Sequence, residues 1–237
     1  MHSYARRTKK IMEMRFSEID FFRGCAVILM VIYHFFYDMN FFAGGNYDIS
    51  SGILWLIGRA AAVLFVSIAG VSMSLSYSRN HDFMKFLDRG AKILAVAGGI
   101  TLITWLFFPD KFIVFGVLHM IGVSSILAYP LLKRMKLNVV LGAFIFISGI
   151  IMWPHFTDVQ WLLWLVPHAF NTFDYFPLFP WFGIMLLGIA AGNYIYRDRR
   201  LRFRSRITLI EALGRHSLLI YLVHQPLLLG LIYLLYL

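Results

Sequence analysis

The sequence predicts an all-α, polytopic integral membrane bundle of about seven transmembrane helices, and three observations carry that expectation. First, 60% of the 237 residues are hydrophobic and only 14% are charged, whereas a soluble domain carries nearer a quarter of charged residues; the mean hydropathy is +0.73. Second, the apolar residues fall in runs of roughly 17–24, enough to cross a hydrocarbon core of about 30 Å as helix. Third, the basic residues punctuate those runs instead of spreading over them, as orientation signals do.

In chain order, residues 1–18 read as a basic cytoplasmic tail and 19–237 as one transmembrane domain. The stretch "ARRTKKIMEMR" before an apolar run also suits a signal peptide. The run is nevertheless long and carries Arg23 and His34, and a small-x-small cleavage site is only hinted at by "FAGG". It therefore reads as an uncleaved first helix. The predicted spans are 19–40, 54–77, 91–108, 112–132, 137–153, 176–196 and 217–237. The segment "VQWLLWLVPHAF", 159–170, is too short to cross and reads as interfacial or re-entrant, its tryptophans suiting headgroup depth. Gly58, Ala62, Gly70 and Ser74 in span two, and Gly188 with Gly192 in span six, are small residues of the kind that lets helices approach closely.

Charge sets the orientation. Five Lys and Arg lie in the tail, four in the second connection, three in the fourth and seven in the sixth, against Lys111 alone in the odd-numbered connections. An N-terminus in the cytoplasm and a C-terminus outside follow, in what reads as a bacterial cytoplasmic membrane. The net charge of +10 is used up in this pattern, so no nucleic-acid partner is expected. The single cysteine, Cys25, excludes an internal disulfide framework and a cysteine zinc site. No phosphate-binding glycine loop is present.

The first span is the informative one. On a helix of 3.6 residues per turn, Asp20, Arg23, Val27, Met30, His34 and Asp38 form one stripe. Arg23 falls near the cytoplasmic mouth, and His34 about 16 Å further along, in the outer half of the membrane. Ionisable groups at such depth are costly and face a bundle interior or a wet cavity. A carboxylate one turn from a histidine can fix its tautomer and raise its basicity, which points to proton transfer by His34 with Asp38. Arg59 in span two, His119 in span four, and His224 with Gln225 in span seven add polar groups within the spans, His224 counted as lying nearer the inner side than the other two histidines. In "NTFDYFPLFPWFG", Asp174 stands at the outer mouth of span six. Taken singly, each histidine is a helix-to-helix hydrogen bond; taken together, they argue for a polar cavity.

Five stretches carry a resemblance: "EIDFFRGCAVILMVIYHFFYDM", "GRAAAVLFVSIAG", "FGVLHMIG", "DYFPLFPWFGIMLLGI" and "GRHSLLIYLVHQPLL". In this order they resemble bacterial members of the heparan-alpha-glucosaminide N-acetyltransferase catalytic-domain family, within the wider transmembrane acyltransferase group. The resemblance implies an acyltransferase that takes an acyl group, acetyl in the first instance, from cytoplasmic acyl-CoA. The group would pass to a hydroxyl or amine of an extracytoplasmic glycan or similar acceptor. It implies Arg23 at the donor and His34 as general base or transient acyl carrier; the residue pattern itself adds Asp20 beside Arg23, Asp38 and His119 as catalytic candidates with His34, and Arg59, Asp174, His224 and Gln225 on the acceptor side of the cavity. The animal lysosomal enzyme is longer and has more spans, and its loop histidine has no counterpart in "FFAGGNYDIS". Its sugar substrate is therefore not carried over, and the smaller number of spans points to a homodimer.

Two other classes compete. Intramembrane His and Arg also suit a proton-coupled small-molecule transporter, against which stands the lack of an inverted repeat. A haem or metal protein using His34, His119 and His224 is the third; no metal or haem is expected, since the predicted depth of His224 sets it apart from the other two.

Overall fold

The computed structural model describes residues 16–153, 155, 159–168, 171–198 and 207–236. The basic tail up to residue 15 and the arginine-rich stretch 199–206 lie outside the described residues. Eight α-helices are present among the described residues: α1 (Ser17–Phe42), α2 (Gly52–Tyr77), α3 (Phe83–Phe107), α4 (Val117–Leu127), α5 (Met135–Met152), α6 (Leu178–Ile195), α7 (Thr208–Arg215) and α8 (Ser217–Tyr236). Single 3₁₀ turns stand at Tyr129–Leu131 and Gln160–Leu162. Six of the helices, all but α4 and α7, are long and apolar enough to cross a membrane. The protein is a polytopic helical membrane protein.

The fourth predicted span, 112–132, is realised as the 11-residue helix α4, flanked by irregular chain and a 3₁₀ turn. Its first residues are drawn out of helix by α3. The Thr101 hydroxyl donates to the Ile113 carbonyl at 2.7 Å, and the Ile113 N–H donates to the Thr104 hydroxyl at 3.0 Å. Both backbone groups of Ile113 are thus paired outside any helix. Residues 111–115 then pair with 172–176, through Phe173 N–H to Lys111 O and Phe176 N–H to Phe115 O at 3.1 and 2.9 Å. Helix α6 starts irregularly because Phe179 precedes Pro180 and is held in extended backbone (φ −91°, ψ 117°), the region a following proline enforces.

The chain divides into two compact units: residues 1–68 with 199–237, and residues 69–198. In the first, α1 packs against α7 and α8. Its tightest point is a glycine pair. A Cβ on Gly214 would run into the Asp20 carbonyl oxygen and stand 2.9 Å from the Gly24 nitrogen, and a Cβ on Gly24 would overlap the Ile210 carbonyl. Only glycine at both positions lets these backbones touch.

In the second unit, α6 is the enclosed helix, with Trp181, Ile184, Met185, Leu186, Ile189 and Ala190 buried. It packs against α5 and α4. Gly70 and Ser74 of α2 meet α6 at Met185 and Gly192, as their spacing foretold. Large apolar side chains stay exposed along α3 (Leu102, Ile103, Trp105, Leu106, Phe107) and α5 (Phe144, Ile147, Ile151). Such continuous apolar surface suits acyl chains, not water.

Candidate functional site

Helix α1 is unbroken over 26 residues, so the predicted stripe exists as one face. Asp20, Val27, Met30 and Asp38 are buried on it, at 1–6% exposure. At its first turns the Arg23 guanidinium bonds the Asp20 carboxylate at 3.2 Å. The Asp20 side chain is 4% exposed and that of Arg23 26%. A buried carboxylate thus holds a partly exposed guanidinium in place.

Three turns on, α1 and α8 meet through two rungs. The rings of His34 and His224 lie with centroids 4.9 Å apart at an interplanar angle of 57°. One turn further, the Gln225 amide donates to Asp38 Oδ1 at 3.3 Å. Here the structure departs from two expectations. Asp38 is tied to Gln225, and the described residues show no Asp38–His34 hydrogen bond; the ring beside His34 across the helix contact is another imidazole. His224 is also not set deeper than His34. Gly24 and Gly214 touch where α1 meets α7, and α8 starts afresh at Ser217 after the non-helical His216 (φ −102°, ψ 17°), so the height of His224 is set by how α8 packs on α1.

Several polar atoms of this cluster are buried without a partner among the described residues: His34 Nδ1, Asp38 Oδ2, His224 Nε2 and Gln225 Oε1. Buried polar groups are almost always paired, so this cluster is the candidate site. Tyr37 and Tyr221 wall the imidazoles, with ring centroids 6.4 Å from His34 and 5.7 Å from His224. Arg59 on α2 belongs to the same unit, half-buried, with its guanidinium 5.7 Å from the Trp55 ring centre; its neighbour Gly58 abuts the Tyr33 ring.

The remaining predicted residues belong to the second unit and are engaged in its fold. His119 is the third residue of α4. Its Nδ1 accepts from the Gly116 N–H at 3.3 Å, and its Nε2 faces the Thr101 hydroxyl at 3.3 Å. That hydroxyl spends its one proton on Ile113, so His119 Nε2 is the donor and both ring nitrogens are occupied. Asp174 caps the same helix: its Oδ2 accepts from the Val117 N–H at 2.9 Å, supplying the oxygen that Gly116, at the N-cap, lacks.

His168 was not singled out by sequence reasoning. It is 8% exposed with both ring nitrogens unpartnered among the described residues. Nothing in "VPHAF" signals it, because its burial comes from chain folding back. The Tyr175 hydroxyl donates to the Leu163 carbonyl at 2.7 Å, with that of Val166 at 2.9 Å, and burial pushes the Tyr175 phenol up to about 12. No group of three or more His, Cys, Asp or Glu that would hold a metal ion occurs among the described residues.

A sequence model of the family described as "Heparan-alpha-glucosaminide N-acetyltransferase, catalytic" matches residues 15–226, a range that includes every site residue named above. No curated protein and no solved structure matches the chain.

Proposed function

The chain belongs to the heparan-alpha-glucosaminide N-acetyltransferase catalytic family, and from the premise of a membrane acyltransferase we propose that it moves an acetyl group from cytoplasmic acetyl-CoA to a hydroxyl or amine of an extracytoplasmic glycan or similar acceptor. Arg23, held by Asp20, pairs with phosphate of the donor at the cytoplasmic mouth. His34 is the general base. It takes the proton from the acceptor as the oxygen or nitrogen attacks the thioester carbonyl. The tetrahedral intermediate then collapses, the C–S bond breaks, and the CoA thiolate leaves with a proton returned from the imidazolium. His119 and Asp174 hold α4 in place on this reading and take no part in the chemistry. The protein works in a bacterial cytoplasmic membrane with its N-terminus inside, as the loop charges indicate, and as a homodimer.

The observation that carries the reading is a single continuous helix with a reachable Arg23 near one end and His34 on the same face, roughly 16 Å away. The two chemical tasks of a transbilayer transfer, holding an anionic donor and deprotonating an acceptor, are thereby given separate depths.

The test uses purified protein in detergent with radiolabelled acetyl-CoA, reading binding and slow hydrolysis with water as acceptor. Arg23→Ala should weaken binding. His34→Ala should bind normally while turnover falls by about 10²–10⁴-fold, the usual contribution of a general base. Absence of both binding and turnover with acetyl-CoA and propionyl-CoA would sink the proposal, and unchanged turnover in His34→Ala would remove that residue from its role.

A further inference from the structure

We propose that Asp38, held by Gln225, is a specificity-determining residue for the acceptor: its second carboxylate oxygen takes a hydrogen bond from a hydroxyl on the carbon next to the one that bears the attacking group. The acceptor is then a vicinal diol or amino alcohol, not a lone alcohol or amine. This deepens the acyl-transfer reading and rests on His34 as the place of attack.

The cluster between α1 and α8 is short of hydrogens. His224 Nδ1 stands 2.7 Å from the Tyr221 carbonyl oxygen. A carbonyl only accepts, so Nδ1 carries the hydrogen of the neutral ring and Nε2 is left as an acceptor. The Gln225 amide is oriented in the same way: its Nε2 donates to Asp38 Oδ1, and its Oε1 has only lone pairs. Asp38 Oδ2 accepts as a carboxylate oxygen does. These three atoms and His34 Nδ1 are enclosed and have no hydrogen-bond partner among the described residues. A carbonyl, carboxylate or phosphate entering here would set acceptor against acceptor, whereas an O–H or N–H supplies what is missing. Asp38 takes such a hydrogen most strongly, because an ionised acceptor makes the stronger bond. It is 1% exposed, and its partner among the described residues is the neutral amide of Gln225.

Position decides which hydroxyl is meant. His34 is half-buried and its Nε2 is not one of the enclosed, unpartnered atoms, so this nitrogen is the one an acceptor reaches. Asp38 follows one turn later on the unbroken α1, and side chains four apart on a helix stand about 5–6 Å apart at Cβ. With the attacking group hydrogen-bonded to His34 and each bond about 2.8 Å long, a hydroxyl on the next carbon comes within reach of Asp38. His34 and Asp38 are not hydrogen-bonded to each other, so the two side chains can serve two groups of one ligand.

The first test needs no turnover. Asp38→Asn sets an amide opposite the Gln225 amide. The new oxygen accepts from Gln225 Nε2 and the new NH₂ donates to Gln225 Oε1, so both sides are paired and the enclosed charge is gone. In detergent-solubilised full-length protein the thermal midpoint should rise by about 3 °C or more, as it does where a binding site has been kept at the expense of stability. An unchanged or lower midpoint would mean that Asp38 finds its second hydrogen bond within the fold, and overturns the proposal. The second test compares matched acceptors with radiolabelled acetyl-CoA: propane-diol with vicinal hydroxyls against propanol, and vicinal amino-propanol against propylamine. In the pair that is acetylated faster, the wild type should prefer the hydroxylated member by about 10-fold or more at equal concentration, and in Asp38→Asn the two rates should come within about twofold of each other. No preference in the wild type, or a preference that survives Asp38→Asn, removes Asp38 from this role. Acetyl-CoA hydrolysis without selection between the members of either pair leaves acyl transfer standing and sinks the acceptor assignment. A stabilised Asp38→Asn in a protein that never consumes acetyl-CoA sinks the acyl-transfer reading and the acceptor assignment with it, while the hydrogen-poor cluster stands.

Discussion

Replacing Gly214 by alanine tests the close backbone contact between α1 and α7. The added methyl would overlap the Asp20 carbonyl oxygen and lie 2.7 Å from the Asp20 carbonyl carbon and 2.9 Å from the Gly24 nitrogen. All three are backbone atoms of α1, so no side chain can swing aside. Restoring ordinary contact needs α7 to retreat from α1 by at least about half an ångström at Gly24, and by more at Asp20. Overpacking of this kind costs about 1–3 kcal/mol. The gain in helix propensity from Gly to Ala is at most about 1 kcal/mol and smaller here, because Gly214 is the last residue but one of α7. The net expectation is destabilisation of about 1–2 kcal/mol, a five- to thirtyfold shift in the unfolding equilibrium. The assay is chemical unfolding in detergent, with Gly98→Ala as control, since a Cβ at Gly98 meets nothing within 4 Å. The control should match or exceed wild-type stability. If Gly214→Ala is as stable as the control, the α1–α7 contact is not the close backbone crossing described.

Three further outcomes are expected. Asp174→Ala removes the oxygen that caps α4 across 57 residues of chain and should cost about 0.5–2 kcal/mol by thermal unfolding, with Asp174→Asn intermediate; an unchanged midpoint in Asp174→Ala would show that the cap does not stabilise α4. In a double-mutant cycle, His119→Ala and Thr101→Val should each destabilise, yet together cost less than the two added, by about 0.5 kcal/mol or more, because they share one hydrogen bond; strict additivity would dissolve that bond. Tyr175 gives a pH signature. Its phenol titrates near 10 when unfolded and is pushed up to about 12 in the fold, so the folded state keeps a proton that the unfolded state loses. Its contribution is intact below pH 10 and is lost as pH rises towards 12. Tyr175→Phe should therefore show a shallower fall in thermal midpoint over that interval than the wild type, and coincident pH profiles would count against the buried hydroxyl.

Much of the first unit was legible in the chain. The eleven-residue spacing of Arg23 and His34 needs only helical periodicity, and α1 is one uninterrupted helix. Small residues at Gly70, Ser74 and Gly192 announced a close approach and meet in the second unit. Less was legible where the chain folds back. Span four, read from hydropathy alone, became α4 with an irregular lead, because Thr101 and Thr104 take the backbone of Ile113, and hydropathy has no term for a hydroxyl pairing with a carbonyl. His119 and Asp174 were marked by residue type as site candidates, and both are occupied in fastening the start of α4.

The sequence by itself determined that this chain lives in a membrane as helices, that its first helix carries cation and imidazole on one face, and that its motifs are those of one acyltransferase family. Those properties are local or additive: hydropathy sums along a segment, and a helical face depends on spacing alone. Partnership was decided only by the tertiary structure. Across the helix contact His34 stands beside His224, and Asp38 beside Gln225. Which side chains face each other depends on how α8 packs against α1, and the spacing along either helix carries no information about the other.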